Sequence, residues 1–225
     1  MRGCVVTGTD TGVGKTVVAA AICATLRARG ERVGAAKPVV TGLDEATPGD
    51  ADHELLAGAA GVEPATVTAH TFGPPLSPHL AARLAGAELD PAALVAHARA
   101  AAAGRDLLIA EGVGGFLVPL AGGYLIRDYA RDLGLPVVIA ARPGLGTINH
   151  TLLTIDAVRA AGLAVLGVVL TPWPGEPSTM EASNRETIAK LGGVDVAGLP
   201  GTALDPASLA AAGAALPLGA WIPPA

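Results

Sequence analysis

Residues 8–16 read GTDTGVGKT, and this glycine-rich stretch stands between an apolar segment at 4–7 and a run of small and apolar residues at 16–26. The flanking patterns predict a buried strand, a tight loop, and a helix that ends near Gly30. Backbone N–H groups at a helix start have no partner inside the helix, and the helix dipole favours negative charge there. The stretch therefore predicts a loop that binds phosphate groups.

The side chains of the loop fit this interpretation. Lys15 would reach the terminal phosphates of a nucleotide, and the Thr16 hydroxyl would bind a magnesium ion. The usual spacing has glycine at the position of Thr9, whereas here the glycine lies one residue earlier, at Gly8. Switch ATPases of the partition and septum-placement type carry a second lysine where this chain has Asp10, which argues against that class. A glycine-rich turn without a ligand is the alternative.

Composition and charge restrict the classes of function. The chain has 225 residues, 51% of them hydrophobic, and no clear linker, which favours a single domain over 1–225. A net charge of −5 leaves no basic surplus for nucleic acid or an anionic membrane, so small molecules are the expected partners. We expect no signal segment, because the start runs directly into a strand and the glycine-rich stretch. Prolines in the charge-poor tail at 206–225 favour a surface helix and coil over a membrane span. We expect a cytoplasmic protein.

Strand-like and helix-like segments alternate along the chain. The apolar segments are 4–7, 32–37, 106–110, 136–141, 164–170 and 196–199, and the helical segments are 16–26, 51–60, 77–84, 91–103, 126–133, 147–161 and 179–191. Short strands that are apolar throughout predict an α/β fold in which helices cover both faces of a mostly parallel sheet. Ligands of such sheets bind at the carboxyl ends of the strands, so the residues that follow each strand are the candidates for a site.

Lys37 is one of these candidates, because it ends the second predicted strand and Pro38 keeps the chain extended there. Only three of the 15 basic residues are lysines. Two of them, Lys15 and Lys37, lie at the edge of the predicted sheet where ligands bind. A compact ammonium suits a position among phosphates or beside a developing anion better than a wide guanidinium does. The alternative for Lys37 is an ordinary solvated charge.

Carboxylates and a second glycine turn complete the candidates. Glu111 ends the strand at 106–110 and suits magnesium, with Asp50 or Asp52 as a further ligand and a helix N-cap as the simpler role of Asp50. The stretch 144–150, GLGTINH, predicts a carboxylate site at a helix start, unless Thr147 only caps that helix. The two cysteines and five histidines show no spacing that indicates catalysis or zinc binding.

Several motifs in this order resemble the dethiobiotin synthetase family of biotin biosynthesis. The motifs are residues 8–16, Lys37-Pro38-Val39 with Thr41-Gly42, Thr71-Phe72, Ser77-Pro78-His79, Glu111-Gly112-Val113-Gly114-Gly115, and Gly146-Thr147-Ile148-Asn149-His150 with Leu153-Thr154. The resemblance extends from Gly8 to at least Pro200. It implies a P-loop NTPase-like fold and a ligase that converts 7,8-diaminononanoate, carbon dioxide and a nucleoside triphosphate into dethiobiotin, nucleoside diphosphate and phosphate.

The resemblance also implies roles for individual residues. Lys37, Lys15 and Thr11 would be catalytic, and Thr16, Asp52 and Glu111 would hold Mg²⁺. The nucleotide-binding residues would be Gly12, Val13, Gly14, Lys15, Thr16, Val17, Asp52, Glu111, Gly112, Val113, Gly114, Thr171, Pro172, Pro200, Gly201 and Thr202. The substrate-binding residues would be Thr41, Ser77, Gly146, Thr147, Ile148 and Asn149, the last four from the partner subunit of a homodimer.

The chain departs from the family at Thr171-Pro172, where many members have an Asn-Asp pair that recognises a purine base. Proline offers neither a side-chain donor nor a backbone N–H, so the sequence predicts a relaxed preference among ATP, CTP and other nucleotides. Two rival functions stay open at this stage. One is a nucleotide switch ATPase, and the other is an amidoligase of the cobalamin-precursor type, which usually carries an additional glutaminase domain.

Overall fold

The computed structural model describes residues 1–45 and 51–224. The strands are β1 (Gly3–Gly8), β2 (Val33–Ala36), β3 (Val40–Thr41), β4 (Thr71–Phe72), β5 (Leu107–Gly115), β6 (Pro119–Ala121), β7 (Tyr124–Leu125), β8 (Val137–Ala141), β9 (Val165–Trp173) and β10 (Val196–Pro200). The helices are α1 (Lys15–Ala28), α2 (Asp52–Ala60), α3 (Pro64–Val67), α4 (Pro78–Leu84), α5 (Pro91–Ala101), α6 (Ile126–Leu133), α7 (Thr147–Ala160), α8 (Thr179–Gly192), α9 (Pro206–Gly213) and α10 (Leu218–Trp221).

Six strands form a parallel sheet in the order β10-β9-β8-β1-β5-β2. The strand β1 lies at the centre, where Gly8 is in register with Gly115 of β5 on one side and with Ala140 of β8 on the other. The loop that leaves β1 therefore emerges between the ends of two neighbouring strands. The predicted α/β fold with a parallel sheet is confirmed.

Helices cover both faces of this sheet. One face packs against α1, α2, α9 and α10, whose buried side chains include Ile22, Leu56, Leu209 and Trp221. The other face packs against the helices from α4 to α8, with buried Leu94, Tyr129, Ile155 and Ile188. Because both faces are covered, the strands are apolar at successive positions instead of alternating.

The strand β5 continues beyond residue 110 through Gly115, so that Glu111 lies inside the strand and not at its end as predicted. The extra length of β5 follows from its pairing with β1, because Gly8 of β1 is still in register with Gly115 of β5. The short pairs β3-β4 and β6-β7 were not predicted. Segments of two or three residues are too short to show a periodic pattern.

The tail at 206–225 contributes more to the core than the predicted surface helix and coil. Leu209, Leu218 and Trp221 are buried against the α1 side of the sheet. The small residues of α9 let it approach α1 closely, and the Thr25 hydroxyl of α1 donates a hydrogen bond to the Ala210 carbonyl at 3.2 Å. Within the described residues, no helix is both long enough and apolar enough to cross a membrane.

Both cysteines are free thiols in the same core. Cys4 lies in β1 and Cys23 in α1, and neither is exposed to solvent. Burial raises the pKa of the Cys4 thiol to about 12 and raises the pKa of the Cys23 thiol as well. The thiolate form, which is the reactive form, is therefore strongly disfavoured at both positions.

Candidate functional site

The phosphate-binding loop, residues 8–16, leads from β1 into α1. Gly12 and Gly14 have φ angles of 69° and 88°, a left-handed conformation that favours glycine. At Gly8 a Cβ atom would lie only 2.8 Å from Cγ2 of Val13, so the turn also needs a glycine where the loop packs on itself. Because α1 begins at Lys15, its first N–H groups have no acceptor within the helix and can bind a ligand.

Lys15 bridges this loop. Its side chain is buried, and Nζ donates a hydrogen bond to the Asp10 carbonyl oxygen at 2.8 Å. Burial lowers the pKa of Lys15 below its usual value, although the nearby Glu111 carboxylate acts in the opposite direction. A cation that is already partly desolvated is suited to bind phosphate oxygens strongly.

Lys37 lies between two carboxylates. Its ammonium is 2.7 Å from Glu111 Oε1 and 2.5 Å from Asp52 Oδ2. Residue 37 follows directly after β2, in which Ala36 pairs with Ala110 of β5, so the sheet places Lys37 beside Glu111. Asp52 is the first residue of α2. Lys37 is 3% exposed and Glu111 is 0% exposed, so this ion pair is buried.

Burial and ion pairing act in opposite directions on the pKa values of this cluster. Burial would lower the pKa of Lys37, but the carboxylates of Glu111 and Asp52 outweigh it and raise the pKa of Lys37. Burial likewise acts to raise the pKa of Asp52, but the Lys37 charge prevails and lowers it. At Glu111 burial prevails and raises the pKa of the carboxyl, even though Lys37 acts against this shift. Lys37 is therefore held in the ammonium form at neutral pH.

Thr16, Asp52 and Glu111 offer a donor set that fits magnesium. The Thr16 hydroxyl donates to Glu111 Oε1 at 2.8 Å, which joins the start of α1 to the same carboxylate. The other oxygen of this group, Oε2, is buried and has no hydrogen-bond partner among the residues that the structure describes. All three side chains offer oxygen atoms, and magnesium is usually held by one or two carboxylates together with phosphates and waters.

The residues predicted to bind nucleotide come together at this edge of the sheet. At Gly114 a Cβ atom would lie 3.6 Å from Thr11 Oγ1, so the turn after Glu111 lies against the phosphate-binding loop. Thr171 is buried, and its methyl group packs against Gly14, where a Cβ atom would lie 2.7 Å from it. At Gly201 a Cβ atom would lie 3.8 Å from Pro172, and both residues are exposed.

The predicted substrate residues lie on two separate parts of the fold. Thr41 of β3 pairs with Phe72 of β4, and the Gly42 N–H donates to the Pro74 carbonyl at 3.1 Å, close to Ser77 at the start of α4. Residues 146–149 lie at the start of α7. A cavity of about 430 Å³ separates the phosphate-binding loop from α7, and its lining on that helix is His150, Leu153, Thr154 and Ala157.

Thr147 does not cap α7, so that alternative is wrong. The N-cap is Gly146, and the Thr147 hydroxyl is buried and lies 3.3 Å from the Thr151 hydroxyl. A β-branched residue inside the first turn can bury its hydroxyl against the next turn of the helix. Only Gly146 and Asn149 of the predicted group are exposed. Asp50, the competing metal ligand, lies outside the described residues.

Comparison with known proteins identifies the family. A sequence model of the AAA domain family matches residues 2–200. The chain is 46% identical to the ATP-dependent dethiobiotin synthetase BioD of Anaeromyxobacter dehalogenans (strain 2CP-1 / ATCC BAA-258), over 85% of this chain and 86% of that protein. This chain belongs to the dethiobiotin synthetase family. Identity to the family members of Rhodococcus jostii (strain RHA1) and Bacillus subtilis (strain 168) is 46% and 36%, over 86% and 88% of this chain and 84% and 87% of theirs.

Solved structures show that the fold extends beyond the dethiobiotin synthetases. The cell division ATPase MinD of Pyrococcus furiosus has a TM-score of 0.52 and 21% identity, covering 89% of this chain and 84% of that chain. Chloroplast FtsY of Physcomitrella patens has a TM-score of 0.50 and 17% identity, covering 94% of this chain and 64% of that chain. At such low identity these likenesses concern the fold alone.

Sequence reasoning missed Arg142. This residue directly follows β8, and its Nη2 donates a hydrogen bond to the Thr11 carbonyl oxygen at 3.0 Å. The rule that directs attention to residues after each strand applies here, because β8 is the neighbour of β1 in the sheet.

Proposed function

We propose that this chain synthesises dethiobiotin from 7,8-diaminononanoate, carbon dioxide and ATP, as a ligase of biotin biosynthesis. Membership of the dethiobiotin synthetase family supports this reaction. The structural observation that carries the proposal is the buried Lys37 ammonium, bonded to Asp52 and Glu111 beside a phosphate-binding loop. A cation in this position suits a reaction whose intermediates are anions.

The reaction has three chemical stages. One amine of the substrate attacks carbon dioxide and loses a proton, which gives a carbamate. A carbamate oxygen attacks the terminal phosphorus of ATP, ADP departs with the electrons of the broken P–O bond, and a mixed carbamic-phosphoric anhydride remains. The second amine then attacks the carbamoyl carbon, phosphate departs with the C–O bonding electrons, and the cyclic urea closes. Negative charge is concentrated at each stage.

The roles of the chain are positioning and electrostatic stabilisation. Lys15 and Lys37 would bring positive charge to the carbamate and to the transferring phosphoryl group. The hydroxyls of Thr11 and Thr41 would donate hydrogen bonds to the carbamate, and the N–H groups of the phosphate-binding loop would hold the phosphates. We assign no nucleophilic side chain, because every bond forms between the substrates.

Thr16, Asp52 and Glu111 would hold magnesium, which when bound neutralises phosphate charge. The buried Oε2 atom of Glu111, which has no hydrogen-bond partner among the described residues, supports this assignment. The nucleotide base would lie near Thr171, Pro172 and the segment 200–202, where the exposed Pro172 adjoins Gly201.

We further propose a homodimer in which residues 146–149 of the partner subunit bind the substrate carboxylate. Leu145, in the turn before α7, is 93% exposed, and Leu153 on α7 is 60% exposed. Exposed leucines before and along α7 support a surface that a second copy of the chain covers. The cytoplasmic location stays a prediction from the sequence.

A product assay tests the proposed reaction. Purified protein is mixed with diaminononanoate, ¹³C-bicarbonate, magnesium and ATP, and we expect dethiobiotin that carries the label in its ureido carbon by mass spectrometry. ATP hydrolysis should require both the diamine and bicarbonate. A Lys37→Ala variant should lose turnover far more than nucleotide binding. Hydrolysis that proceeds without the diamine, with no labelled product, would contradict the proposal.

A further inference from the structure

Arg142 is a cation at the phosphate-binding loop that the proposed mechanism does not use. Its side chain is exposed, and Nη2 donates to the carbonyl oxygen of Thr11 at 3.0 Å. The same atom would lie 3.8 Å from a Cβ atom at Gly12. No carboxylate among the described residues forms an ion pair with Arg142. The guanidinium therefore has the loop backbone as its partner.

This hydrogen bond fixes the direction of a peptide group. The Thr11 carbonyl and the Gly12 N–H belong to one planar trans peptide, so they point in opposite directions. A carbonyl held toward Arg142 turns the Gly12 N–H away from Arg142. Glycine at φ 69° has wide rotational freedom, and without an external partner this peptide could adopt other orientations.

Lys15 holds the adjacent carbonyl. Its Nζ donates to Asp10 O at 2.8 Å, so two successive carbonyl oxygens of the loop are each bound by a cationic side chain. Lys15 is expected to exchange this carbonyl for phosphate oxygens when nucleotide binds. Arg142 comes from a different strand and is free to keep its bond to Thr11 through that exchange.

The position of Arg142 is itself fixed. Pro143 restricts the backbone of Arg142 to extended conformations, which continues the direction of β8 beyond the sheet. Asn184 of α8 is buried, and its Nδ2 donates to the carbonyl oxygens of Pro143 at 2.9 Å and of Gly144 at 3.3 Å. The turn that presents Arg142 is therefore anchored to α8.

We propose that Arg142 is a positioning residue for nucleotide phosphate, because it holds the Thr11–Gly12 peptide in the orientation that directs the Gly12 N–H at a phosphate oxygen. The inference rests on nucleotide binding by this loop, which is part of the proposed function. It concerns the phosphates and not the base, the diamine or the ring closure.

Direct binding measurements with the full chain test this role. We expect Arg142→Ala to bind Mg-ATP about tenfold more weakly by calorimetry, the loss typical of one hydrogen bond that has a charged partner. Inorganic tripolyphosphate, which lacks the base, should lose affinity by the same factor. Free guanidinium at millimolar concentration should restore part of the affinity of Arg142→Ala. The melting temperature of the nucleotide-free variant should match that of the unaltered protein.

Arg29→Ala is the matched control, because it removes one exposed positive charge at the end of α1. Equal affinities of Arg142→Ala and Arg29→Ala for ATP and tripolyphosphate would overturn the proposal, and so would a loss for ATP alone. If Arg142→Ala does not fold, Arg142→Lys takes its place in the test. We expect Arg142→Lys to bind ATP more weakly than the unaltered protein, but by less than about tenfold. The calorimetric affinity does not depend on product formation. An absence of dethiobiotin in the product assay would therefore reject the proposed function without deciding the role of Arg142.

Discussion

At the scale of single residues, Lys37 compensates the charge of a carboxylate that has no access to water. Removing one partner of a buried ion pair leaves the other charge uncompensated. We expect Lys37→Met to lower the free energy of unfolding at neutral pH without magnesium by about 3 to 5 kcal/mol. Urea unfolding measures the change. Lys190→Met, which removes an exposed lysine of α8, is the control, and equal stability of the two variants would contradict the expectation.

Lys15 gives a dependence of nucleotide affinity on pH. Burial lowers its pKa in the free protein, whereas bound phosphates favour the charged form. As the pH rises through the pKa that Lys15 has in the free protein, nucleotide binding must take up a proton, so the affinity for ATP should fall. The fall should begin at a lower pH than it would for a lysine with an ordinary pKa. Calorimetry in buffers of different ionisation enthalpy measures the uptake. Lys15→Arg keeps its charge and should show a flat profile.

Asp52 and Asp50 can be distinguished by their magnesium requirement. Asp52 lies in the cluster with Lys37 and Glu111, so Asp52→Asn should raise the magnesium concentration needed for half-maximal turnover by about tenfold or more. The same substitution at Asp50 should leave the requirement near that of the unaltered protein. A larger shift for Asp50→Asn would assign the ligand to Asp50 instead.

The residue types of the site were predictable, but the way they meet was predictable only in part. Lys37 follows β2 and Glu111 lies within the neighbouring strand β5, and the rule for parallel sheets places both at the same edge of the sheet. That Lys37 would be buried between two carboxylates depends on where α2 starts after a loop, and loop paths have no periodic signal. Arg142 was missed because the hydrogen bond that it donates is to a backbone atom, which no motif encodes.

At the scale of elements, the end of β9 is where we propose that the nucleotide base binds. Thr171 is buried against Gly14, which leaves Pro172 as the exposed residue beside Gly201. Since proline has no donor to distinguish a purine from a pyrimidine, we expect kcat/KM values for ATP and CTP to agree within about tenfold. Steady-state kinetics with both nucleotides provide the comparison. A strong preference for ATP would refute this prediction.

Long elements were predicted more accurately than short ones. The sheet strands β1, β2, β8 and β10 were predicted close to their observed bounds, because buried parallel strands are apolar throughout. The strands β5 and β9 continue past their predicted ends, to Gly115 and Trp173. The pair β6-β7 is a hairpin closed by Gly122-Gly123, a local turn signal that was overlooked. The pair β3-β4 joins two segments that are distant in the sequence, which a local pattern does not reveal. The burial of α9 and α10 was missed for a similar reason, since alanine-rich helices pack wherever a neighbour lies close.

At the scale of the whole molecule, the expected homodimer joins two copies through the turn before α7. We expect the unaltered protein to be dimeric by light scattering, and Leu145→Asp to be monomeric with a raised KM for the diamine and unchanged nucleotide affinity. Leu191→Asp is the control, because Leu191 is 64% exposed at the far end of α8. A protein that is monomeric and fully active at assay concentration would remove the basis of this arrangement.

The burial of both thiols has a practical consequence for such measurements. Since Cys4 and Cys23 are fully covered, and burial raises the pKa values of their thiols, maleimide reagents should leave the folded chain unlabelled. A cysteine introduced by Leu145→Cys would then be a single attachment point for a dye or a spin label. Distances between two labelled copies can be recorded without first deleting any native sulfur.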